Sequence, residues 1–72
     1  MYAEFDRHSG IEENLTRLKD LLHRNKTLTV STVDPHIADL LMITHLLQTD
    51  SFCKYDIYTQ KHGVVVEMIS LL

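Results

Sequence analysis

Between Ser9 and Val33 the apolar residues change period once, from the spacing of a helix to the spacing of a strand. Ile11, Leu15, Leu18 and Leu22 recur at helical intervals, with Leu21 widening the stripe. A few residues later Leu28 and Val30 alternate with Thr27, Thr29 and Ser31. A 3.6-residue stripe places one flank of a helix against a core, and a period of two places one face of a strand there. A chain that does both within one short stretch must lay helices on a sheet, so the pattern points to an α+β fold.

The local signals fix the expected elements. Ser9-Gly10-Ile11-Glu12 has the spacing of a capping box, in which the serine hydroxyl and the glutamate carboxylate satisfy free backbone N–H groups at a helix start. A helix is expected over about residues 10–25, its outer face carrying the acid-before-base pairs Glu13/Arg17 and Asp20/Arg24. Thr27 to Val33 is β-branched and alternating, dry on one face and wet on the other, which suits a sheet covered by helices on one side only. Asp34-Pro35 reads as a second helix start, with aspartate as cap and proline at the first helical position, and that helix runs to about Gln48. Thr49-Asp50-Ser51 breaks it. Phe52 to Tyr58 alternates Cys53, Tyr55 and Ile57 against Lys54, Asp56 and Tyr58 as a half-buried strand. Gln60 to Gly63 supplies a turn, with Gly63 available for a positive φ. Val64 to Ile69 is the most apolar strand and belongs inside the sheet, and residues 2–6 can add a short first strand. The expected order is (β)αβαββ, a two-layer sandwich with both helices on one face of a mixed four-stranded sheet.

The length of 72 residues caps the chain at one domain. A composition of 44% hydrophobic and 24% charged residues is too apolar for disorder. The net charge of −3 argues against a broad surface for nucleic acid or anionic membrane. One cysteine forms no internal disulfide, which suits a reducing compartment. The first six residues have acidic groups where a signal peptide needs a basic stretch followed by an apolar run. No apolar segment approaches the roughly 20 residues of a membrane span. The expected location is the cytoplasm, with no membrane contact.

With that element order assembled, the chain resembles the TusA/SirA family of small sulfur-carrier proteins from about Tyr2 to Leu71. The local anchor is Thr27-Leu28-Thr29-Val30-Ser31-Thr32-Val33-Asp34-Pro35, an apolar strand running into an Asp-Pro. The resemblance implies the family's sandwich of two helices on one face of a mixed four-stranded sheet, a fold shared with the C-terminal domain of translation initiation factor three. It also implies a Cys-Pro-x-Pro motif at the start of the first helix, whose cysteine carries a persulfide. Here that stretch reads Arg7-His8-Ser9-Gly10-Ile11, with neither cysteine nor proline. Only a thiolate accepts and passes on sulfane sulfur, and a serine hydroxyl at Ser9, or the ring of His8, does not replace it. The resemblance therefore implies a member lacking its carrier residue.

Three functional readings follow. In the first, the chain is a non-catalytic interaction or regulatory module. The second helix supports it: Ile37, Leu40, Ile43 and Leu47 can line one side and pack on the sheet, leaving Leu41, Met42 and Leu46, with His45 among them, either as a face for a protein partner or a second copy or as the margin of a broad buried stripe. In the second, Cys53 is a relocated sulfur carrier or redox group; its plain alternative is a small apolar residue at the start of a strand. In the third, suggested only by the shared initiation-factor fold, the chain binds RNA, against its acidic balance. No cofactor is expected. The five histidines His8, His23, His36, His45 and His62 have no HxH or HxxxH spacing, so they read as dispersed surface groups rather than a metal site. His8 next to Ser9 lacks a placed acid, and no catalytic residue is assigned.

Overall fold

The structure, a computed structural model, describes residues 1–71. The element order is β1 (Tyr2–Glu4), α1 (Ile11–Asn25), β2 (Thr27–Val33), α2 (Ile37–Thr49), β3 (Cys53–Gln60) and β4 (Gly63–Ser70). The sheet order is β1-β2-β4-β3. β1 runs parallel to β2, and β4 pairs antiparallel with both β2 and β3. Both helices pack on one face, as the alternation of β2 requires. Leu28 and Val30 of β2 meet Val64, Val66 and Met68 of β4 and Leu18, Leu22, Leu40, Ile43 and Leu47 of the helices in one core. The three valines of β4 lie in an interior strand, where a long apolar run belongs.

The structure departs from the sequence signals at several positions, each for a physical reason. Ser9 does not cap α1. Gly10 is the N-cap, and the Ser9 hydroxyl donates instead to Asp6 Oδ2 at 2.8 Å. Arg17 does not pair with Glu13: it is half-buried, and its Nη2 donates to the Glu4 carbonyl at 2.8 Å and to Asn14 Oδ1 at 3.1 Å. A backbone carbonyl on an edge strand and a buried amide hold it better than an exposed carboxylate one turn away. The second acid-base pair, Asp20 with Arg24, does form, at 3.2 Å.

At the next junction Asp34-Pro35, joined by a cis peptide, precedes α2 rather than opening it. The His36 N–H donates to the Val33 carbonyl at 2.9 Å and closes a turn, so helical bonding begins only with Leu40 N–H to the His36 carbonyl. Neither Asp34 nor Pro35 takes the capping position. Gly63 does not use a positive φ; the residues that do are Lys26, at the C-terminal cap of α1, and Ser51 after α2. Gly63 is needed for space, because a Cβ there would stand 2.1 Å from the Thr32 carbonyl oxygen of β2. The strands differ from expectation at their ends: β1 stops at Glu4, β3 spans Cys53–Gln60 and β4 spans Gly63–Ser70.

The division of the sheet between the helices bears on function. α1 packs on β2 and β4, whereas α2 is the helix that packs on β3 as well. The far half of β3 has no helix over it. Ile57, expected on the dry face with Cys53 and Tyr55, is therefore exposed.

Candidate functional site

Two regions gather the chemistry-bearing residues. The first is an open cleft of about 770 Å³ at the carboxyl ends of the parallel strands β1 and β2. Its lining includes Tyr2, Asp6, Arg7, His8, Arg17, Ser31 and His36. Such a crevice arises because parallel strands hand the chain to their helices at the same end. The β1–α1 loop forms one wall and is tied down from below by Asn14, which is completely buried on α1. The Asn14 Oδ1 accepts the Asp6 N–H at 2.9 Å, and its Nδ2 donates to the carbonyls of Asp6, Ser9 and Gly10. One amide thereby satisfies the loop that would otherwise leave buried polar groups without partners. His36 also lines the cleft, its ring stacked on Phe5 with centroids 5.8 Å apart.

His8 lines this cleft, and Ser9, next to it in the loop, does not cooperate with it. The Ser9 hydroxyl is committed to Asp6, and His8 contributes its backbone N–H to the same carboxylate at 2.9 Å. The bond from the His8 N–H, and after it the bond from the Ser9 hydroxyl, hold the Asp6 carboxyl below its ordinary pKa, with the charges of His8 and Arg17 adding to the effect. The arrangement is an Asx-type turn that shapes the loop. Activating Ser9 would need its proton to pass to a base, and the base it meets is a carboxylate stabilised in its charged form. No thiol lies among the lining residues.

The lone thiol is elsewhere. Cys53 opens β3 with 1% of its surface exposed, and burial pushes its thiol up from the usual pKa. A thiol that is both covered and held neutral is a poor nucleophile. We expect a thiol reagent at neutral pH to label folded Cys53 more slowly than an exposed cysteine by about a thousandfold or more, at the rate of local opening. Labelling of the native protein at the rate of a free peptide would contradict this placement. His8 and His36 both line the cleft, and among the described residues no three His, Cys, Asp or Glu side chains converge as metal ligands.

The second region is the outer side of α2. Met42 is 52% exposed and Leu46 40%, His45 is exposed between them, and Leu41 is half-buried. The buried side is Leu40, Ile43, Thr44 and Leu47, with the Thr44 hydroxyl returned to the Leu40 carbonyl at 2.9 Å. The helix thus has apolar residues on both sides, and the only acidic or basic residue it carries apart from His45 is Asp39. α1 is built differently: its exposed positions include Glu12, Glu13, Lys19, Asp20 and Arg24. What sequence reasoning missed is Asn14, a polar residue set between Ile11 and Leu18 on the apolar stripe of α1, and its position on that stripe was the available signal.

Comparison with protein-family models gives no match for this chain, and comparison with the curated proteins gives none either. No helix among the described residues is long and apolar enough to cross a membrane.

Proposed function

We propose that this chain is a non-catalytic interaction or regulatory module of TusA/SirA-like frame, working in the cytoplasm, that self-associates through the outer side of α2. The observation that carries this reading is the contrast between the two helices. They lie side by side on one sheet, yet α1 turns charged side chains to solvent where α2 turns Met42, His45 and Leu46, with Leu41 half-buried. Exposed apolar side chains grouped on one element, rather than scattered singly, are the usual composition of a protein contact. Sulfur transfer finds no support, because His8 and Ser9 stand where the family thiol would be and Cys53 is covered.

The test is sedimentation equilibrium of the wild-type chain beside a Met42→Lys/Leu46→Lys variant. Both substitutions fall on exposed positions, so folding is kept, as the melting curve will verify. The wild type should rise from the 8.4 kDa monomer towards twice that mass as concentration increases, and the variant should stay monomeric. A wild type that remains monomeric at millimolar concentration overturns the proposal.

A further inference from the structure

We infer that the second copy joins at β3, its own β3 running antiparallel across a two-fold axis at Tyr55 so that two four-stranded sheets become one. This rests on the self-association proposed above and names its geometry. The sheet has two edges, and they differ. β1 is three residues long, and the Glu4 carbonyl is occupied by Arg17. Shortness and a covering side chain are ways in which proteins block an edge. β3 is eight residues long, contains no proline, and keeps an unbroken register with β4 from Cys53↔Ser70 to Gln60↔Gly63. The Leu71 N–H donates to the Phe52 carbonyl at 3.0 Å, which fixes the parity of the ladder. Even-numbered residues of β3 bond towards β4, and Cys53, Tyr55, Ile57 and Thr59 turn their backbone groups outward. That row is a template for another strand.

Charge selects the occupant and the register. On the uncovered sheet face Asp56 lies directly across from Glu67, two carboxylates as cross-strand neighbours. Like charges so placed repel. Centring the two-fold axis on Tyr55 sets Lys54 of each copy opposite Asp56 of the other, so a cation from the second copy arrives directly across from the acid pair. Moving the axis to Asp56 would oppose two aspartates. The helices fit the same arrangement. α2 packs on β2, β4 and β3, whereas α1 does not reach β3, so α2 is the helix nearer that edge, and a two-fold axis normal to the sheet keeps both copies of it on one face. The copy joined at β3 therefore brings α2 beside α2, the element that carries Met42 and Leu46, and covers the overhanging Ile57.

Two measurements decide this. In sedimentation equilibrium, Lys54→Glu and Asp56→Lys should each weaken the dimer roughly tenfold, and the doubly substituted chain should recover wild-type association to within about twofold. In hydrogen exchange, the Tyr55 and Ile57 amides of the wild type should become protected as concentration rises. Single substitutions that leave the dimer unchanged, with Tyr55 and Ile57 exchange independent of concentration, overturn the β3 junction. If Met42→Lys/Leu46→Lys still abolishes association in that case, the α2 reading stands without it, whereas a chain that never associates ends both.

Discussion

Replacing Gly63 with alanine is expected to lower stability by about 2–3 kcal/mol, the cost of forcing one methyl group into a closed space. The added Cβ would meet the Thr32 oxygen at 2.1 Å, the Thr32 carbonyl carbon at 3.1 Å and the Val33 Cα at 3.2 Å. All three are backbone atoms of β2, so no side chain can swing aside, and β2 and β4 must part where Val33 opposes Gly63. The Asp34 N–H to His62 carbonyl bond just beyond that pair would loosen with them. A chain of this length has about 4–11 kcal/mol in all, so the loss is a large fraction of it. It corresponds to a fall of about 10–20 °C in Tm. Thermal unfolding followed by circular dichroism measures it directly, and an unchanged Tm would mean that the strands do not approach as closely as described.

The second large effect is expected at Asn14. Asn14→Leu keeps the volume but removes the acceptor for Asp6 N–H and Arg17, and the donor to the carbonyls of Asp6, Ser9 and Gly10. Leaving such partners unsatisfied costs about 2–4 kcal/mol in urea unfolding. Asn14→Asp makes a sharper comparison, because it retains the acceptor and turns a second carboxylate oxygen towards three carbonyls. It should be at least as damaging as leucine at neutral pH and should recover partly on acidification, when the protonated acid regains a donor. Equal stability of all three chains would show that the amide does not hold the β1–α1 loop.

Periodicity made most of the frame legible. The stripe Ile11, Leu15, Leu18, Leu22 and the alternation of Thr27 to Val33 each report burial on one side, and burial is what the fold satisfies. The positions misread were those where a short polar residue had a better partner than its sequence neighbours suggested. Ser9 has the spacing of a cap, but Asp6 three residues back offers a charged acceptor. Asp34-Pro35 has the composition of a helix start, yet the Val33 carbonyl takes the His36 N–H first. Gly63 was read for the torsion it permits, when the constraint was the β2 backbone, some thirty residues away in sequence.

The same limit applies to the site. That Met42 and Leu46 exceed what one buried stripe needs follows from 3.6-residue spacing alone, and both are exposed. That the helix carrying them packs on an edge strand does not. Strand order decides which strands become edges, and the sequence of β3 carries no mark of its place beside β4 only. Ile57 illustrates this, since its alternation with Asp56 and Tyr58 says which way it points but not that the helix layer ends before reaching it.

The central claim is that this chain meets its own kind along the flank made by α2 and β3. A dilution series of amide and methyl spectra tests it residue by residue. The account predicts concentration-dependent shifts at Leu41, Met42, His45 and Leu46 and along Cys53 to Thr59, with none at His8, Ser9 and His36 around the cleft. Spectra that do not change with concentration, or changes gathered around His8 and His36, would contradict it.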